Sequence, residues 1–523
     1  MINKVNKEIK IKKKTILFSK KDISQIKNMG LSPRDVEKQI SIFCRGPKYF
    51  KLNRACTITD GILSIKKAEK ENLINLYEKE SGKFKLLKFV PASGAASRMF
   101  AQWFSDLEDG GFESTGDNQT FFSNFKRYPF YSLIKQNKHA RNLINQKNIN
   151  GLLDYVLSSN GLNFGWLPKA LIPFHCYTVL GMRTALEEHL FEAAQYVRNR
   201  GDICYLHFTV SEEHKKLVKE KIKQIKEKYE ELCGVKYRLS LSIQSQKTNM
   251  LAVDKSNIPM RDENENLIFR PGGHGSLLKN IENLNADFIF VKNIDNIVPE
   301  KHLRKIIPYK KMLGGLAYQI QQEVFSILHK MEKSEIDNTQ KEEIMDFCFK
   351  KLNIVIPDDF SIQSKKKQNK IIFDLLNRPL RICAMVKNQG EPGGGPFWVE
   401  EDNKGQQTMQ IVEKGHINQK NKQQIDIWNS AQYFNPVDMV CCIKNYRGEK
   451  FNLDKYVNKS AYLITMKNEK GRMIKALESP GLWNGAMAYW NTIFVELPLF
   501  VFNPVKTVDD LLRPEHQTGR KKN

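Results

Sequence analysis

An α/β fold is predicted: a Rossmann-like mixed β-sheet flanked by helices. Three observations predict it. Apolar, strand-like runs at 86–90, 203–210, 287–291 and 381–386 alternate with helical segments, the pattern of a sheet covered on both faces. The run Leu87-Lys88-Phe89-Val90 passes into small residues, Ala92-Ser93-Gly94-Ala95-Ala96-Ser97, then Arg98 and a helix-compatible stretch, as at the carboxyl end of a strand in such a sheet. The chain has 523 residues and 41% hydrophobic content, enough to bury a large core.

The elements follow in order. Residues 1–80 read as a basic, mainly helical extension, and the core, 81–512, opens with the 86–90 strand. Residues 178–197 read as an amphipathic helix with Leu186, Leu190, Ala193 and Val197 on one stripe. The 203–210 strand leads to Ser211, a candidate N-cap, with Glu212 and Glu213 placed to favour the first turn of a long charged helix. Tyr237, Leu239, Leu241 and Ile243 alternate with polar residues as in a strand. The 287–291 strand ends at Asp295-Asn296. Residues 300–380 read as an insertion, helical over 300–350 and a polar linker at 357–371 that holds Lys365-Lys366-Lys367. The 381–386 strand resumes the sheet, and 513–523 form a basic tail.

Composition narrows the function. The nine cysteines are scattered, with no Cys-x-x-Cys, which argues against a zinc ribbon or redox pair and for reduced thiols in a cytoplasmic protein. No apolar run is long enough to span a membrane; the longest, near 493–502, is broken by Glu496 and Pro498. Met1 to Lys14 lacks the apolar core of a secretory signal. A net charge of +25 suits a polyanionic ligand, but the lysines are spread along the chain, so nucleic acid is not the expected partner.

The loop at 91–98 suits an anion, because small residues let a phosphate approach backbone N–H groups at a strand-to-helix turn. A tight turn without a ligand is the plainer alternative. The loop is neither the dinucleotide G-x-G-x-x-G fingerprint nor a Walker loop. Four other segments stand out: Pro168-Lys169 in an apolar loop, Arg270-Pro271-Gly272-Gly273-His274-Gly275, Asp295-Asn296 at a strand end, and Pro504-Val505-Lys506 near the C-terminus. In this order they resemble the motifs of the sugar-1-phosphate nucleotidyltransferases, especially the UDP-sugar pyrophosphorylase branch. The first motif departs, with Ala92-Ser93 for that family's Gly-Gly and Ala96-Ser97-Arg98 for its Gly-Thr-Arg. The chain as a whole is similar to a bacterial domain-of-unknown-function family through Pro91 to Ala95, Phe269 to Gly275, Glu391 to Val399 and Gly481 to Ala488.

The resemblance implies a nucleotide-diphospho-sugar transferase-like core and transfer of a nucleotidyl group from a nucleoside triphosphate to a sugar phosphate, with Mg²⁺. Arg98, Lys169 and Lys506 would be the catalytic cations. Ala92, Ser93, Gly94, Ala95, Gly272 and Gly273 would bind nucleotide. Glu391, Gly394 and Asn484 would face the sugar. Asp295 and Asp438 would hold the metal. Each has a plainer reading: exposed cations, turn-forming glycines, an Asx turn at Asp295 and a turn residue at Asp438. His207 and His214 read as structural rather than as metal ligands. A non-catalytic nucleotide or nucleotide-sugar binder and a glycosyltransferase remain as alternatives.

Overall fold

The computed structural model describes residues 18–109, 118–334, 336–391, 393–400, 406–469 and 472–519. Met1 to Lys14 and the last four residues of the expected tail lie outside them. A nine-stranded mixed sheet organises the molecule. Its strands lie in the order Ile62–Leu63, Asn491–Glu496, Leu380–Lys387, Asp438–Cys442, Phe288–Lys292, Leu86–Pro91, Ile203–Val210 and Lys236–Ile243, with Tyr433–Phe434 beside Leu380–Lys387. Along this order only Asp438–Cys442 runs against the others. The central parallel strands are covered on both faces, which is why they read as near-continuous apolar runs, whereas the edge strand Lys236–Ile243 is partly exposed and alternates.

One face presents Leu86, Val90, Phe288, Phe290, Ile382 and Val440 to Leu186, Leu190, Leu313 and Ala317 of the helices Ala185–Ala193 and Glu300–Lys333. The opposite face presents Leu87, Phe89, Ile289, Val291, Cys383 and Met439 to Leu277, Leu278, Ile281, Met487 and Trp490. The alternation is the period-two pleat of each strand. Smaller sheets flank this core: Lys51–Ala55 with Gly395–Glu400 and Gln407–Val412, and Leu463–Glu469 with Arg472–Glu478, Met250–Val253 and Phe269–Arg270.

Several elements differ from the sequence reading. Residues before 81 do form the helices Lys20–Asn28, Pro33–Arg45 and Lys67–Glu80, yet they also place Lys51–Ala55 against Gly395–Glu400 and Ile62–Leu63 at the edge of the main sheet. The helix expected over 178–197 is preceded by a hairpin of Pro173–Tyr177 and Gly181–Thr184. Gly181, at φ +72°, makes the turn, and Thr184 and Glu187 form the capping box that starts the helix at Ala185. Ser211 does not cap the next helix, which begins at Lys215 after His214; its hydroxyl bonds to His214 Nδ1 instead. The lysine run at 365–367 opens the helix Lys365–Leu376 rather than forming a linker.

Lys88 and Lys292 point from the strands into the helix-covered face, where both bond the buried Glu192 carboxylate at 3.0 and 2.6 Å. Lys310, from the helix Glu300–Lys333, joins this buried layer and pairs with Asp438. Charged groups this deep are tolerated because each has an opposite partner.

Candidate functional site

The 91–98 loop leaves the Leu86–Pro91 strand and is fixed on both sides. Ala92 N donates to Thr209 O on the neighbouring strand (2.9 Å). Ala96 N donates to Leu167 O (2.9 Å), Lys169 N donates to Gly94 O (3.3 Å), and Ala95 bridges to Pro168. These contacts leave the N–H groups of Ser93, Gly94 and Ala95 without partners among the described residues, with Gly94 and Ala95 exposed. Three consecutive N–H groups at a strand end are thus left available to an acceptor. Arg98 follows in the 3-10 turn Ala96–Arg98, exposed and without an ion pair among the described residues.

Docking of 94–96 on 167–169 brings Lys169 to the end of the adjacent strand. Its ammonium donates to Asp295 Oδ2 (3.1 Å) and to Val505 O (2.9 Å). Lys506 donates to the same Asp295 oxygen (2.9 Å), while Asp295 Oδ1 is buried without a partner. Burial pulls the Lys169 ammonium below its ordinary pKa, and Asp295 opposes that pull. Burial alone would raise the Asp295 carboxyl, but Lys506 and Lys169 overcome it and hold the group below the usual carboxylate range.

Lys506 is carried by a strap over 503–518. Asn503 N donates to Asn296 Oδ1, Val505 N to Asp295 O, and Val508 N to Met99 O. The Asp510 carboxylate accepts Lys506 N (2.7 Å) and Thr507 N (2.8 Å) and pairs with Arg513. Farther on, the buried His516 meets His175 Nε2 through Nδ1 (3.1 Å), and His175 Nδ1 bonds Glu188. The tail expected from 513 is therefore packed through its first residues.

A second group gathers Gly272, Gly273, Gly394 and Asn484. Gly273, at φ +78°, turns the chain against Glu478, and a Cβ on Gly275 would lie 1.9 Å from Pro480 O, so glycine is required for this close approach. His274 stacks on Trp483 (4.2 Å, 20°) and accepts Leu482 N through Nδ1. The neutral ring then carries its proton on Nε2, which lies 3.8 Å from Glu413 Oε1. Burial holds His274 below its usual pKa, with Glu413 opposing. Asn484 donates to Glu413 Oε1 (2.7 Å), and its own Oδ1 is buried without a partner. Glu413 and Glu391 line a cavity of about 430 Å³ with Gly393, Trp428 and Tyr433.

The structure therefore joins Ser93 to Ala95, Lys169, Asp295 and Lys506 in one place. It joins Gly272 and Gly273 to Gly394 and Asn484 in another. Asp438 departs from the expectation of a metal ligand: its buried carboxylate neutralises Lys310, and among the described residues no group of three or more His, Cys, Asp or Glu is arranged around a metal position. His207 lies between the Ser240 and Ser242 hydroxyls (2.7 Å each) and stacks on Phe89, a structural role. Sequence reasoning missed Glu413 and Asp510. Asp510 had a local signal, the Thr507-x-x-Asp510 capping pattern. Glu413 had only its place at a strand end before Gly415.

No helix among the described residues is long and apolar enough to cross a membrane. No curated protein sequence matches the chain. Among solved structures, the fold is similar to the UDP-N-acetylglucosamine pyrophosphorylase of Trypanosoma brucei, at 11% identity and TM-score 0.46, covering 92% of this chain and 74% of that one. It is also similar to the UDP-glucose pyrophosphorylase of Leishmania major, at 10% identity and TM-score 0.44, covering 95% and 79%. The UDP-glucose phosphorylase of Trypanosoma brucei gives 11% identity and TM-score 0.45, covering 94% and 77%. The family model described as domain of unknown function DUF4301 matches residues 19–517, and the chain belongs to that family.

Proposed function

We propose that this chain transfers a nucleotidyl group from a nucleoside triphosphate to a sugar 1-phosphate. The observation that carries the reading is the Asp295 carboxylate shared by Lys169 and Lys506, beside the unpaired N–H groups of Ser93, Gly94 and Ala95. In this reaction a phosphate oxygen of the sugar phosphate attacks the α-phosphorus, the bond to the bridging oxygen breaks, and pyrophosphate leaves with the electron pair. The nucleophile is already an anion, so the protein's task is to align two polyanions and stabilise the spreading charge. The loop N–H groups and Arg98 receive the triphosphate. Lys169, tied to Val505 O and Asp295, offers a fixed positive charge to the leaving pyrophosphate. Lys506, half exposed, is placed for the second phosphate. Glu413 and Glu391 offer hydrogen-bond partners for sugar hydroxyls in their cavity, and Asn484 and His274 hold the Glu413 carboxylate from behind.

Asp295 Oδ1, buried and unpartnered, fits one ligand position of Mg²⁺, which takes one or two carboxylates and completes its shell with phosphates and water. When bound, Mg²⁺ would supply charge neutralisation to the phosphates. Asp438 does not fit that role, being committed to Lys310.

The test is pyrophosphate exchange with a panel of nucleoside triphosphates and sugar phosphates. Lys169→Ala is expected to lower turnover by roughly 10²–10³ while changing ground-state nucleotide binding far less. Nucleotide binding without exchange by the wild type would replace the enzyme reading with that of a binding protein. Unchanged turnover in Lys169→Ala would remove the lysine from the site.

A further inference from the structure

We infer that Trp166 is a stacking platform for the nucleobase, so that the nucleotide lies across three strand ends with its phosphates at Asp295 and its base over the Ile203–Val210 strand. The inference rests on the nucleotide reading above and adds a base-contacting residue to it. Trp166 is a large aromatic side chain left 45% exposed in a segment that is otherwise tied down. Trp166 N and Leu167 N both donate to Asn163 O (3.2 Å each), and the next residues dock on the 94–96 loop. The ring is braced from below by His214 in an edge-to-face contact at 4.7 Å. His214 is buried, and its Nδ1 bonds Ser211 Oγ at 2.7 Å. An indole held rigid with part of its surface in water costs little entropy to use for stacking.

Its position follows from the sheet order. Phe288–Lys292, Leu86–Pro91 and Ile203–Val210 are neighbours, and their carboxyl ends carry, respectively, Asp295 with its two lysines, the small-residue loop, and Ser211 with His214. Trp166 lies on His214, at the far end of that row from Asp295. It precedes Lys169 by three residues, so their Cα atoms are at most about 11 Å apart. A cation pair at one end, unpaired N–H groups in the middle and an exposed indole at the other match the order phosphate, phosphate, base in an extended nucleotide. Thr209 Oγ1 and His214 Nε2, both buried, have no hydrogen-bond partner at this same end. Every base has a π-face, so the platform would set affinity for nucleosides in general and leave the choice among bases to polar groups.

The test is calorimetric binding of ATP, CTP, GTP, UTP, dTTP and inorganic tripolyphosphate to the full chain and to Trp166→Ala and Trp166→Phe, with melting curves to establish folding. The wild type is expected to bind at least one nucleoside triphosphate more tightly than tripolyphosphate. Trp166→Ala should weaken that nucleotide by roughly tenfold or more and leave tripolyphosphate unchanged, with Trp166→Phe within about threefold of the wild type. Nucleotide should also quench tryptophan fluorescence in the wild type and not in Trp166→Phe. Equal nucleotide affinity in wild type and Trp166→Ala would overturn the stacking role and leave the phosphate site standing. Failure of the wild type to bind any nucleoside triphosphate would overturn the underlying reading and the stacking role with it.

Discussion

Asp295 accepts two ammonium groups on one oxygen and leaves the other open, which sets its sensitivity to change. Asp295→Asn keeps the shape but deprives Lys169 of its counter-charge in a buried place. A lower melting temperature and loss of most pyrophosphate exchange are expected; full activity across a Mg²⁺ titration would exclude a role for the carboxylate. His207 gives a separate test in acid. Burial lowers its pKa to about 4 from an ordinary 6.5. Between those values the unfolded chain binds a proton that the folded chain does not, so this residue's contribution to stability falls as pH drops from about 6.5 to about 4. Denaturant unfolding of wild type and His207→Gln over that range measures it. Parallel pH dependences in the two proteins would show that another group dominates.

Among the elements, the helices Lys67–Glu80 and Glu300–Lys333 pack unusually close because Gly314 and Gly315 face the first of them. A Cβ on Gly315 would lie 2.1 Å from Leu73 O. Gly315→Ala must push the helices apart and is expected to cost about 1–3 kcal/mol, read from chemical denaturation; an unchanged midpoint would mean that the pair slides freely. The central strands were legible in the sequence because burial on both faces leaves an uninterrupted apolar signature, as in Phe288–Lys292. The Pro173–Thr184 hairpin was not, because its turn depends on the left-handed Gly181 within a stretch that also suits a helix. The site was legible as separate islands. Pro168-Lys169, Asp295 and Lys506 each stand at a loop or strand end. Nothing local indicated that one carboxylate would bind both lysines, or that Asp438 would be claimed by Lys310 from a helix 128 residues away in sequence.

For the molecule as a whole, the buried layer of Lys88, Lys292, Lys310, Glu192 and Asp438 contains three potential cations against two carboxylates. Burial lowers Lys88 to about 8 from 10.5, against the pull of Glu192. Between these values the unfolded chain holds the extra proton, so this group adds stability as pH rises from about 8 towards 10.5. Lys88→Met should abolish that rise, measured by unfolding across pH 7.5–10; identical profiles would assign it elsewhere. The strap has a consequence for biogenesis. Lys169 donates to the carbonyl of Val505, 336 residues later. At roughly 5–20 residues per second, the ribosome needs about 17–67 s to make the intervening chain. Through that interval the sheet strands up to Phe288–Lys292 can pair while Lys169 waits for its last partner. The pairing of Lys169, Asp295 and Lys506 would therefore be among the final features a nascent chain acquires, and a ribosome stalled shortly before Asn503 would display most of the fold without that charge arrangement.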